Sequence, residues 1–257
     1  MSVTFDIDPY PGNPKILFIG LGSSSHTHAW IDLLAEAKMN IRLFSVPESD
    51  IPPKGWNIRS YICASSSRLT EGLDPNIRQC LYPLPEQIKR RESKLKKRIS
   101  FWAFAIIKKV LNFVGRHLGL PGFIFDYTSY FQTPKVIAPE EWLAEIVSDW
   151  KPDVIHTLGL FDTQGGLFYY EARKRLELEK IGKWVLQLRG GSDIALRRFN
   201  PETAKQILEI LSECDQVITD NYVNINYIKE LGLGEKIAFI APVPGTGGLD
   251  TDMEIED

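Results

Sequence analysis

Three stretches of this chain combine residue types and spacing that could do chemistry. The first is Trp184–Asp193, WVLQLRGGSD, where an apolar run ends in an arginine, two glycines, a serine and an aspartate. Arg189 could hold a phosphate or carboxylate through its planar fork, with Gly190 letting a ligand approach the backbone. Asp193 could act as a catalytic carboxylate, pair with Arg189 or cap a following helix. The second is Gly20–His28, GLGSSSHTH, leading straight into a helical pattern. Free N–H groups at a helix start favour an anion, which makes Gly22, Ser23, Ser24 and His26 candidate ligand contacts. The third is His156, at the end of PDVIH. A histidine at a strand end can move a proton or hydrogen-bond a sugar hydroxyl, and Asp162 and Gln164 follow closely enough to line the same edge. Each stretch also has a purely structural explanation: a polar turn, a tight glycine turn, a satisfied histidine.

Other chemistries are disfavoured. The loop reads GxGSSSH rather than GxGxxG, no acidic residue closes the second strand, and the Walker ending GK[ST] is missing. There is no CxxC, HExxH or Gly-x-Ser-x-Gly pattern. No metal site is therefore expected, and the three cysteines suit a reducing compartment. The N-terminus, MSVTFDIDPYPGNP, lacks a signal-peptide pattern and reads as a frayed leader.

The elements that must position these residues follow a β-α rhythm. KILFIG and IRLFSV read as buried strands around the first loop, and GWNIRSYICA holds a weaker one. Later come a helix opened by Ala138-Pro139-Glu140-Glu141, a strand Asp153–Thr157, a helix Thr163–Glu179 and the strand of WVLQL. A helix opened by Asn200-Pro201-Glu202, a strand Gln216–Thr219, a helix Tyr222–Leu231 and a final strand Lys236–Ala241 complete the series. Repeated units of this kind predict an α/β fold: a Rossmann-like, doubly wound, mostly parallel sheet. The expected organisation is a flexible leader over 1–14, a domain over 15–242, and a linker with an acidic tail over 243–257.

Residues 84–130 break the rhythm as an insertion. Glu86–His117 carries ten Lys or Arg against two Glu, a balance of +8 that leaves about −11 elsewhere in a chain of net charge −3. Leu95, Ile99, Trp102, Ile106, Val110 and Phe113 recur at helical spacing. With Lys94, Lys97 and Arg98 on the other side and Phe101 projecting among them, this basic amphipathic segment suits a membrane surface or lipid-linked acceptor. An ordinary solvated helix face and nucleic acid are the competing readings, and no nucleic-acid partner is expected. Ile99–Ile107 is much shorter than the roughly 20 residues that span a bilayer.

Taken together, KILFIGLGSSSHTHAW, KPDVIHTLG, WVLQLRGGSD, SECDQVITDN and LGLGEKIAFIAPVPGTGGLD resemble the amino-terminal domain of a family 4-like glycosyltransferase of the GT-B fold. The resemblance is weakest from about Lys54 to Phe131. It implies transfer of a sugar from a nucleotide-diphosphate donor, as co-substrate rather than cofactor, to a glycan or lipid-linked acceptor at the cytoplasmic face of a membrane. It places Gly22 and Ser23 near the donor diphosphate and acceptor, His156 near the reacting sugar, and Arg189 and Asp193 at the cleft. The family's Glu-x7-Glu motif lies in a second domain, so the chain is expected to be the acceptor-binding half, inactive without a carboxyl-terminal domain chain. A noncatalytic sugar- or nucleotide-binding module and a nucleotide-sugar epimerase of similar architecture are the alternatives.

Overall fold

The computed structural model describes residues 5–47, 51–53, 55–64, 74–81, 137–161, 165–190 and 194–243. Their strands are β1 (Lys15–Gly20), β2 (Asn40–Ser45), β3 (Arg59–Ala64), β4 (Ile77–Leu81), β5 (Val154–Leu158), β6 (Lys183–Leu188) and β7 (Gln216–Thr219). Their helices are α1 (Ser25–Asp32), α2 (Pro139–Trp150), α3 (Gly165–Arg175), α4 (Pro201–Glu213) and α5 (Tyr222–Glu230). The strands form one sheet in the order β4-β3-β2-β1-β5-β6-β7, and every pairing is parallel. This is a Rossmann-like α/β fold. Strand order reverses direction between β1 and β5, the topological switch point at which ligands enter open sheets of this class.

Sheet geometry divides the core. Leu17, Ile19, Phe44, Ile155, Trp184, Leu186 and Val217 face α2, α3 and α4, whose Leu143, Tyr169 and Ile210 are buried against them. Ile16, Phe18, Leu43 and Leu158 face the other way, toward Trp30 and Ile31 of α1. Each fully buried side chain of this size contributes about 1.5–3 kcal/mol by leaving water.

Local signals set the helix starts. Pro139 and Pro201 occupy first-turn positions, and the Asn200 side chain accepts from Glu202 N–H (2.9 Å) and Thr203 N–H (3.3 Å). Helix α1 ends at Asp32, earlier than its apolar periodicity suggests; Leu34, Ala35 and Ala37 continue in tighter turns that bond three residues back. His26 and His28 both lie on α1.

Four expectations need correction. The segment Lys236–Ala241 is not a strand: a short 3-10 turn, Gly234–Lys236, leads to a single bridge between Ile237 and Val217. Ala238 N–H donates to Val217 and Val243 N–H to Thr219. Five residues along this segment therefore oppose two on β7, and the chain bulges outward with Ile240 90% exposed. Strand β4 was not expected because Ile77–Leu81, IRQCL, lacks alternation, as befits a half-exposed edge. From Phe5 on, the leader is docked: Phe5 is buried, and Asp6 and Asp8 pair with arginines of the sheet. Finally, β5 continues two residues beyond His156, which is thus not its end. The expected insertion at 84–130 and the acidic tail lie outside the described residues.

Candidate functional site at the sheet switch point

The carboxyl ends of β1 and β5 open onto two loops and two helix starts. The loop after β1 is tied down on both sides of Gly22: its N–H donates to Ser45 Oγ (3.1 Å) and its C=O is 2.6 Å from His28 Nε2. A Cβ at Gly22 would stand 2.7 Å from Ser45 Oγ and 3.1 Å from Ser45 Cβ, so a larger residue here displaces the serine that holds the loop. His28 is steadied by Trp56, ring to ring at 4.4 Å, whose indole N–H donates to Asp32 at 2.9 Å. Ser24 is the residue before α1 but makes no side-chain capping bond. The first-turn N–H groups of α1 are left uncapped by it, at the positive end of the helix. Ser23 and His26 are exposed beside them.

Across the switch point, α3 begins hard against β1. A Cβ on Gly165 would lie 2.2 Å from the Ile19 carbonyl oxygen, and Gly166 N–H donates to Gly159 O at 2.9 Å. Neither glycine is among the site residues expected from the sequence, although adjacent glycines opening a helical stretch are a legible sign of close backbone approach.

His156 sits inside the sheet, between Phe18 of β1 and Val185 of β6 in register. Its ring stacks on Phe18 (5.0 Å) and meets the edge of Trp30 (6.0 Å), it is 8% exposed, and its Nε2 has no hydrogen-bond partner among the described residues. Burial pushes its pKa down to about 3, helped by the nearby Arg189 charge. At neutral pH the ring is therefore uncharged and a weak base, suited to hydrogen bonding rather than proton abstraction. Gln187, fully buried on the same face, likewise has neither amide atom bonded. Arg189 follows on that face, near enough for its charge to reach the imidazole.

Gly190 is held by residues that sequence inspection did not select. Its N–H donates to both carboxylate oxygens of Asp220 (2.9 and 2.8 Å), and its C=O accepts from Asn221 Nδ2 (3.1 Å) and Asn224 Nδ2 (3.3 Å). The Thr219-Asp220-Asn221 run after β7 was the available signal. Asp215 anchors the start of β6 by accepting from Trp184 N–H and Lys183 Nζ.

The structure thus brings Gly22, Ser23, Ser24 and His26 together at one helix start, and His156, Arg189 and Gly190 along neighbouring β5 and β6. Asp162, Gln164 and Asp193 lie outside the described residues, as do Lys94, Lys97, Arg98, Phe101 and Trp102. Among the described residues no group of three or more His, Cys, Asp or Glu could hold a metal ion, and no helix is long and apolar enough to cross a membrane. No protein-family model matches the chain, and no curated protein matches it in sequence.

Proposed function

We propose that this chain supplies the acceptor-side half of a glycosyltransferase, working on a nucleotide-diphosphate sugar and a glycan or lipid-linked acceptor. The observation that carries the proposal is the uncapped start of α1, positioned by Gly22 at the sheet's switch point. Backbone N–H groups there can receive phosphate oxygens at little cost in reorganisation. Neutral His156 and buried Gln187 add hydrogen-bonding groups behind the crevice, which suits sugar hydroxyls. Groups from a further domain or chain would complete the site and supply the remaining donor contacts. The segment carrying Lys94, Lys97, Arg98, Phe101 and Trp102 would meet anionic lipid at the cytoplasmic membrane face, where a lipid-linked acceptor resides.

Ser24→Asp tests the proposal without threatening the fold. An aspartate at this position caps α1 and favours the helix, yet sets a negative charge where a diphosphate would bind. Calorimetric titration of UDP, UDP-glucose and GDP-mannose should show affinity falling about tenfold or more, or about 1.4 kcal/mol, with thermal stability unchanged or raised. Equal affinity in both proteins, or no binding of any of these to the unaltered chain, would count against it.

The low pKa of His156 favours a second reading, a binding module that performs no transfer. Saturable nucleotide-sugar binding with no transfer or hydrolysis, even beside candidate carboxyl-terminal domains, would select it.

A further inference from the structure

Two of the three cysteines, Cys63 and Cys80, are buried free thiols on neighbouring strands, and the switch-point crevice does not use them. They are Cα partners in the parallel register of β3 and β4. In-register side chains leave a parallel sheet on the same side, and both sulfurs join the core that α2 covers. The third thiol, Cys214, sits just past α4 and donates to Leu211 O at 3.3 Å.

Strand spacing sets what the pair can do. Adjacent strands run about 4.7–4.9 Å apart, inside the roughly 4.4–6.8 Å between Cα atoms that a disulfide spans. Its Cβ atoms must come within about 3.5–4.5 Å, slightly closer than flat parallel strands hold them. Strand β4 can yield that distance, because it is a half-exposed edge bonded to the sheet on one side only. The thiols already meet: a hydrogen bond with Cys80, and then burial, hold the Cys63 thiol protonated, well above its ordinary range. Closed in the core the pair is therefore inert, and any reaction has to begin with β4 lifting from the edge, a local opening rather than global unfolding.

We propose that Cys63 and Cys80 are a dithiol modification site that closes reversibly to a cross-strand disulfide in the presence of a low-molecular-weight disulfide such as oxidised glutathione. Lifting of β4 brings a thiol into water, where it ionises near its ordinary value of about 8.5. That thiolate attacks one sulfur of the oxidant, expels a glutathione thiolate and leaves a mixed disulfide. As β4 returns, register sets the other cysteine alongside. It gives up its proton, attacks the protein sulfur of the mixed disulfide and expels the second glutathione. Two protein thiols are oxidised, one glutathione disulfide is reduced to two glutathione thiols, and the two protons end on those leaving groups. In a reducing pool the pair stays open, since a bond formed against strand spacing is readily reduced. The inference does not depend on nucleotide-sugar binding at the switch point.

The full chain, held with millimolar oxidised glutathione at mildly alkaline pH, then unfolded and alkylated, tests this by mass spectrometry. The expected product has lost two hydrogens, is alkylated at Cys214 alone, and yields a fragment joining Cys63 to Cys80 that dithiothreitol separates. Cys214→Ala should close the same bond, whereas Cys80→Ala should form no Cys63 disulfide within the chain. A bond to Cys214 in the parent, a glutathione adduct that never closes internally, or alkylation of all three cysteines after prolonged exposure would overturn the proposal.

Discussion

The switch-point crevice and the charged cluster under α2 treat polar groups in opposite ways. At the crevice most polar groups are backbone N–H groups and uncharged side chains, with Arg189 the charge felt by His156, and the elements are brought close by glycines at 22 and 165. Under α2, Arg42, Arg59 and Lys15 converge on Asp8, which also accepts from the Trp150 indole at 2.9 and 3.1 Å. Burial alone would raise the Asp8 pKa, but hydrogen bonds from Trp150 and Arg42 and the surrounding cations outweigh it and hold the carboxyl below its ordinary value. The same burial, together with Arg42, lowers the pKa of Arg59. One region is shaped by close backbone approach; the other balances its charges largely within itself.

That contrast breaks first at Gly165. Gly165→Val should destabilise the protein by about 4 kcal/mol or more, because the added carbons occupy the Ile19 carbonyl. A urea midpoint within error of the parent would show that α3 does not need this approach. Asp8→Ala should cost about 3–5 kcal/mol by leaving Arg42 and Arg59 buried without their carboxylate. Retention of full stability would mean that the cluster is not held by Asp8.

A pH series separates the regions more finely. His156 binds its proton more weakly when folded, so its contribution is complete above the unfolded value near 6.5 and falls away as pH drops toward about 3. At pH 5 the loss is about 2 kcal/mol relative to pH 7. His156→Gln should flatten that part of the stability profile, measured by urea unfolding at each pH; an unchanged slope would place the protonation elsewhere. Arg78→Ala should cost about 1 kcal/mol or less, since its pair with Asp6 is largely solvated. A larger loss would extend the tightly held cluster out to the edge strand.

The frame was legible because central strands announce themselves. KILFIG and WVLQL are apolar runs closed by glycine or charge, and Asn200-Pro201 writes its own helix cap. Strand β4 was not legible, because this half-exposed edge strand carries polar Arg78 and Gln79 side by side on its two opposite faces, which leaves no apolar alternation. The docking of Phe5, Asp6 and Asp8 was hidden for a related reason: their partners Arg42, Arg59 and Arg78 lie more than thirty positions away. At the crevice, Gly22 and Gly190 were found from local composition. The residues that fix their surroundings, Ser45 and Asp220, become visible only once parallel pairing aligns the strand ends.

Amide chemical-shift mapping with UDP tests binding at the crevice most directly. The expected result is saturable shifts at Gly20–Thr27, Gly159–Phe161 and Gly165–Leu167, with Arg42, Tyr61 and Trp150 unmoved. Shifts confined to the Arg42 cluster, or none at saturating nucleotide, would contradict the assignment of the switch point as the nucleotide-sugar site.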